Sequence, residues 1–395
     1  MPDRRRWAIL AVGTSAQTAT CCFIYGIPML VPALREDGLS LFASGLLVSA
    51  PIAGVLLTLI AWGAAADRYG ERIVIVTGVG VAAVMLVIAA LVSGPVLLGL
   101  FLALAGAFGA SVNAASGRVV MGWFPRHERG LAMGTRQTAQ PLGVALAALA
   151  LPPLARAHGV HLALLFPAVL CALAAVAVFV LVADPARPSP AADAVPTTSP
   201  YRGSYVLARV HGASALLVVP QFAVAAFTLV YLVGQRGWDP AAAGRMIFLF
   251  QAAGAAGRVL AGLWSDRVDS RLVPMRQLAV ASAVLMLLIA IGAATELWFV
   301  IAGFAIGAVI TVADNGLAYT AVAELAGQEW SGRALGAQNT VQNLAAVATS
   351  PLLALVIGES RYALGFALVT VFPLLAIVLT PVRAEMRMIS AGAAR

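Results

Sequence analysis

The chain has 395 residues, of which 61% are hydrophobic and 11% charged, and its formal net charge is +8. Soluble globular domains carry roughly 25% charged residues, so this composition excludes a water-soluble enzyme, a nucleic-acid-binding protein and a disordered chain. A spanning helix needs about 20 apolar residues and twelve would use roughly 240, close to the apolar total here, which predicts an all-α polytopic membrane protein.

Apolar runs fall at 7–34, 42–66, 73–94, 97–122, 131–155, 160–183, 206–232, 242–264, 273–294, 297–323, 333–357 and 362–382. Gly and Pro recur inside them, as spanning helices tolerate. The first run follows the basic segment Met1–Arg6 and reaches about Leu34, well beyond the 7–15 residues of a signal peptide's apolar region, so it is read as a retained span. Residues 184–204, DPARPSPAADAVPTTSPYRGS, are Pro-rich and have no helical period. They predict a flexible linker at 184–205 between a six-helix bundle at 1–183 and another at 206–395. Cys21, Cys22 and Cys171 lie inside apolar runs and are read as small buried hydrophobes.

All 25 basic residues are Arg. Sixteen lie in one alternate set of loops and termini, against Arg35, Arg156, Arg236 and Arg361 in the other. Positive loops stay cytoplasmic, so both termini are expected in the cytoplasm and the protein in the inner (cytoplasmic) membrane.

The halves repeat. Segment 129–144, RGLAMGTRQTAQPLGV, aligns with 331–346, SGRALGAQNTVQNLAA, at a shift of 202 that also places Asn113 on Asn315. GAAADRYGER at 63–72 matches GLWSDRVDSR at 262–271 at a shift of 199. Such near-equal offsets indicate a duplicated six-helix unit, an arrangement that encloses a site near the bilayer midplane. In the loop motif, Gly63 permits close helix approach, Asp67 is an acid at a helix end, and Gly70 allows a tight turn. Arg68 and Arg72 can pair with acids or with helix C-terminal carbonyls. The second copy supplies Gly262, Asp266, Arg267 and Arg271.

With these motifs the chain resembles the major facilitator superfamily over essentially its whole length. Glu71 stands where that family usually has Arg or Lys, and Asp269 replaces the glycine in the second copy. The resemblance implies a secondary transporter with alternating access by rocking of two bundles, the loop motif latching the cytoplasmic side. WFPRHERGLAMG at 123–134 is similar to a stretch joining the fourth and fifth spans of many small-solute and organic-anion porters in that superfamily.

Ionisable groups at membrane depth are costly and usually face the bundle interior or a wet cavity. At 1.5 Å per residue, Arg136 lies roughly 8 Å and Gln140 roughly 14 Å from the inner end of the fifth span, on one face, with Pro141 expected to bend the helix there. The eleventh span offers Gln338, Asn339, Gln342 and Asn343. Arg136, Gln137, Gln140, Gln338, Asn339, Gln342, Asn113 and Tyr25 are candidate substrate contacts. Snorkelling of Arg136 to the cytoplasmic interface is the competing reading. Arg258, in GAAGRVLAGLWSDR of the eighth span, joins the candidates. That stretch resembles monocarboxylate porters, and the resemblance implies carboxylate recognition by this arginine. Those porters often carry an acid one turn earlier, where this chain has Gly254. Asp314, roughly 14 Å from the inner end of the tenth span by the same rise, is the candidate proton carrier. Burial and a neighbouring arginine act on its protonation in opposite senses.

No Walker A loop, HExxH, clustered His/Cys spacing or GxSxG elbow is present, so no enzyme activity, metal or cofactor is expected. The reading is a proton-coupled organic-anion (carboxylate) porter for which a monomer suffices, with no nucleic-acid partner. The alternative is a drug or metabolite exporter of the same superfamily.

Overall fold

The computed structural model describes residues 3–39, 41–184, 199–202, 204–238, 240–327, 329–358 and 360–386. Most of the expected linker, 185–198, and the tail from Arg387 to Arg395 lie outside the described residues. The elements are helical throughout, with no strand among the described residues. In chain order the helices are α1 (Asp3–Ile24), α2 (Val31–Glu36), α3 (Leu41–Tyr69), α4 (Glu71–Leu91), α5 (Pro95–Trp123), α6 (Arg129–Gln137), α7 (Ala139–Ala163), α8 (Leu165–Leu181), α9 (Val206–Gly234), α10 (Pro240–Arg267), α11 (Leu272–Thr295), α12 (Phe299–Ala326), α13 (Ser331–Ile357), α14 (Tyr362–Val369) and α15 (Val371–Leu379).

Among the described residues, eleven segments are at least 18 residues long and apolar enough to cross a bilayer, and α8 adds a shorter apolar helix. The boundary before α8 is informative. Gly159 has φ 82° and ψ 163°, so the chain turns there although hydrogen bonding continues on both sides. The sixth span therefore starts at about residue 160, as the apolar run indicates, and reaches spanning length. A left-handed turn of this kind suits glycine. The first span ends before Pro28, where a short 3-10 turn, Ile27–Leu30, takes over.

The break in the fifth span lies at Thr138, between α6 and α7. It falls one turn before Pro141, because a proline removes the hydrogen bond to the carbonyl four residues earlier and crowds that preceding turn. In the two copies of the loop motif, Gly70 has φ 97° and Asp269, its counterpart at a shift of 199, has φ 48°. The glycine missing from the second copy is thus replaced by an acid that tolerates positive φ.

The helices form two compact units. Unit 1 comprises Met1–Phe124, Thr138–Thr197 and Ala326–Thr340; unit 2 comprises Pro125–Gln137, Thr198–Leu325 and Val341–Arg395. In unit 1, α5 packs on α3 and α4, α4 packs on α8, and α1 packs on α7 and α8. Its core includes Phe23, Leu59, Ile75 and Leu86. In unit 2, α6 packs on α10, α9 on α15, and α11 on α14 and α15. Its core is aromatic: Tyr231 lies 5.5 Å from Phe304 and 5.4 Å from Tyr362, and Phe304 lies 5.5 Å from Phe366, centroid to centroid. Tilted and edge-on rings at this spacing are attractive beyond the area they bury. Large aliphatic side chains such as Leu57, Leu91, Leu149 and Leu355 are exposed, as lipid-facing surfaces of spanning helices require and a water-facing surface would not tolerate.

Candidate functional site

Five polar residues converge inside unit 2. Arg136, on α6, is 1% exposed. This overturns snorkelling, since a guanidinium reaching the interface would be solvated. Its Nη1 donates to Gln137 Oε1 at 3.4 Å, and its charge lies 5.5 Å from the centroid of the Tyr319 ring on α12. A cation over an aromatic face gains a contact that survives desolvation. Arg258, on α10, is likewise buried, and its Nη1 donates to the carbonyl oxygen of Gln137 at 2.6 Å. Pro141 has no N–H to give that oxygen, so the guanidinium completes a helix broken by proline. Asp314, on α12 one residue before Asn315, is buried, and its Oδ2 has no hydrogen-bond partner. Two arginines and one acid, held by α6, α10 and α12, thus leave this interior with more positive than negative charge.

A second group in unit 2 is neutral. Asn315 Nδ2 donates to Gln221 Oε1 at 3.0 Å, and Gln342 Nε2 donates to Asn315 Oδ1 at 3.2 Å and to Ser214 Oγ at 2.6 Å. This ties α9, α12 and α13 together with amides. Unit 1 carries the matching pair: Gln17 Nε2 donates to Asn113 Oδ1 at 3.0 Å, with Ser116 Oγ 3.4 Å from Gln17 Oε1. Asn113 and Asn315 are the repeat partners. Each bonds a glutamine on the first helix of its half, and the duplication preserves the contact as well as the sequence.

The remaining candidates separate. Gln140 and Tyr25 are half-buried in unit 1. Gln338 and Asn339 are buried there, and Asn339 Nδ2 bonds the carbonyl of Leu335 on its own helix at 2.9 Å. The structure therefore brings Arg136, Gln137, Arg258 and Asp314 together and leaves Gln140, Gln338, Asn339, Asn113 and Tyr25 in the other unit. The sequence reading had missed Tyr319. Its signal was its position five residues after Asp314, more than one turn along the same helix.

The loop motif acts on helix starts. Asp67, in the last turn of α3, accepts the N–H groups of Gly332 at 2.9 Å and Arg333 at 3.1 Å, in the first turn of α13. Asp266, in the last turn of α10, accepts those of Gly130 at 2.9 Å and Leu131 at 2.8 Å, in the first turn of α6. A carboxylate there satisfies orphan donors and meets the positive end of the helix dipole. The first glycine of each motif sits at the crossing: a Cβ on Gly63 would lie 2.3 Å from the Gly332 oxygen, and one on Gly262 would lie 2.1 Å from the Gly130 oxygen. The last arginine of each motif is held by its backbone. Arg72 N–H bonds Asp184 at 2.8 Å, and Arg271 N–H bonds Glu385 at 2.7 Å. Arg68 and Arg267 are exposed.

The two copies differ in their arginine side chains. Arg72 bonds the Phe179 carbonyl and lies 4.8 Å from that ring's centroid. Arg271 is fully buried, donating to Asp266 at 2.5 Å, Ser265 at 2.8 Å, the Arg126 carbonyl and Glu324 at 3.4 Å. Burial alone would lower its pKa, but Glu324 and Asp266 outweigh that and hold it above the ordinary value, so the guanidinium stays charged. Glu324 also pairs with Arg129 at 3.4 Å. Glu324, Asp184 and Glu385 carry no motif signature, so the sequence reading had passed over them.

A profile of the Major Facilitator Superfamily matches residues 13–350. The chain belongs to the Major Facilitator Superfamily. It is a multi-pass membrane transporter and not an enzyme. It is 46% identical over 381 residues to the uncharacterized MFS-type transporter Rv2994 of Mycobacterium tuberculosis (strain ATCC 25618 / H37Rv), covering 96% of this chain and 85% of that protein. Among solved structures, the human organic anion transporter MFSD10 (TETRAN) matches with a TM-score of 0.69 at 18% identity, covering 96% of this chain and 100% of that one. The proton:xylose symporter XylE matches with a TM-score of 0.72 at 14% identity, covering 96% and 95%. The Major Facilitator Superfamily transporter FucP, in the outward conformation, matches with a TM-score of 0.70 at 16% identity, covering 94% and 98%. At these identities the likeness is one of fold.

Proposed function

We propose that this superfamily member is a secondary active transporter that carries a small organic anion, a carboxylate, together with a proton. A monomer would suffice for this, in the inner membrane with both termini cytoplasmic. The observation that carries the reading is the buried set Arg136, Arg258 and Asp314. Two cations and one acid favour an anionic guest, because an interior with an excess of positive charge attracts an anion. The proton has a place at Asp314. A carboxylate that takes up one proton becomes a neutral acid, which leaves the arginine charge of this interior to the substrate carboxylate. With the proton on Asp314 and the anion beside the arginines, the interior keeps the net charge it has before loading, so the two can enter together without adding charge to it. Planar guanidinium groups suit carboxylate, which they bind with two parallel N–H donors. The organic-anion transport named for MFSD10 and the proton symport named for XylE are both chemistries this fold accommodates.

The test is uptake of labelled mono- and dicarboxylates into proteoliposomes under an imposed pH gradient, with Arg136→Ala and Asp314→Asn beside the wild type. Gradient-driven uptake that disappears in Arg136→Ala and is uncoupled from the gradient in Asp314→Asn supports the reading. No uptake of any carboxylate by correctly oriented protein, with raised cellular tolerance to lipophilic cations on expression, would replace it with the exporter.

A further inference from the structure

A groove of about 760 Å³ runs between α9, α13, α14 and α15 of unit 2, within the size range of pockets that hold small ligands. Its walls are aliphatic and aromatic, with Thr349 as the one hydroxyl residue, and that hydroxyl is turned to the Ala345 carbonyl of its own helix. The groove exists because of small residues and a break. Gly212, Ala215, Ala345 and Ala348 keep the facing helices shallow, and the chain divides at Thr370 between α14 and α15, beside the lining residues Val369 and Val371. Nothing along it offers a polar solute a hydrogen bond. On a spanning surface the apolar solute always at hand is a lipid chain.

One end of the groove is charged. Arg209 lies one turn before Gly212 on α9, and it is exposed. Its Nε donates to the Leu379 carbonyl at 3.1 Å and its Nη2 to the Val378 carbonyl at 3.0 Å, capping the C-terminal end of α15, and Leu379 also lines the groove. A guanidinium has five N–H donors, so these two bonds fix its direction and leave donors for an anion. Tyr205, one turn earlier on the same face, is 84% exposed and marks the headgroup level that tyrosines favour. Arg383, also exposed, follows Leu379 by four residues.

We propose that this groove binds an anionic phospholipid, with one acyl chain between α9, α13 and the α14–α15 break and the phosphate on Arg209. The inference is independent of what the protein transports. Native mass spectrometry of the full-length protein released from nanodiscs tests it, using matched-chain phosphatidylglycerol and phosphatidylcholine, with inorganic phosphate as a competitor. Wild type is expected to retain phosphatidylglycerol at least fivefold over phosphatidylcholine. Arg209→Gln is expected to abolish that preference, Arg209→Lys to keep most of it, and Ala348→Trp, which fills the groove, to lower retention of both lipids. Thermal unfolding in detergent checks that each variant is folded; should Ala348→Trp fail to fold, Leu216→Phe replaces it. Equal retention of the two lipids by wild type would overturn the proposal. So would an Arg209→Gln variant that keeps the preference, or displacement of the lipid by millimolar phosphate, which would make the site one for a free anion.

Discussion

Arg258 donates to the carbonyl of Gln137 at 2.6 Å, an oxygen that Pro141 cannot serve from four residues ahead. The proline therefore does two things. It divides the fifth span at Thr138, and it supplies a backbone acceptor that holds an arginine of the eighth span in place. Pro141→Ala restores an N–H that competes for that oxygen. Uptake by reconstituted protein is expected to fall about fivefold or more while thermal stability stays level or rises, because a helix-interior proline costs roughly 3 kcal/mol. Unchanged uptake would mean that the carbonyl does not position Arg258.

Arg258 and Asp314 are expected to be coupled. Both are buried, and a charge left uncompensated in a low-dielectric interior is costly. If opposite charges offset each other in this interior, Arg258→Gln and Asp314→Asn each lower thermal stability and the double variant recovers part of the summed loss. Strictly additive losses would place the two groups in separate environments.

Much of this fold could be read from spacing alone. Shifts of 199 and 202 located the repeat, and the structure adds that the repeat conserves contacts: Gln17–Asn113 with Gln221–Asn315, and Asp67 at Gly332 with Asp266 at Gly130. What stayed hidden was whatever a helix rise cannot encode. Depth placed Arg136 and Gln140 on one helix face, but the break at Thr138 puts them in different units. Tyr319 and Glu324 matter through partners more than fifty residues away in sequence, and no local pattern reports such a partner.

The two motif aspartates differ in what they leave behind. Asp67 caps a helix and faces a half-exposed Arg333 at 3.5 Å, so Asp67→Asn is expected to cost about 1–2 kcal/mol, the range of a lost cap. Asp266→Asn is expected to cost about 3–5 kcal/mol, because it also strands part of the charge on the fully buried Arg271. Chemical or thermal unfolding in one detergent ranks the two. Equal losses would show that Glu324 alone suffices for Arg271.

The amide pairs give the last comparison. Interhelical hydrogen bonds within membranes average about 0.6 kcal/mol and reach about 1.7. Asn113→Ala removes the 3.0 Å bond from Gln17, whose Oε1 keeps Ser116 nearby. Asn315→Ala removes one bond to Gln221 and one from Gln342, although Gln342 keeps Ser214. The loss in stability is expected to be about twice as large for Asn315→Ala, roughly 1–2 kcal/mol against 0.5–1. Because Gln342 lies on α13 and Gln221 on α9, the same substitution frees two helices from a third. It is therefore expected to slow transport more than Asn113→Ala does, an effect that initial-rate uptake separates from stability. Matching rates and stabilities for the two variants would mean that the third amide, Gln342, contributes nothing beyond the pair.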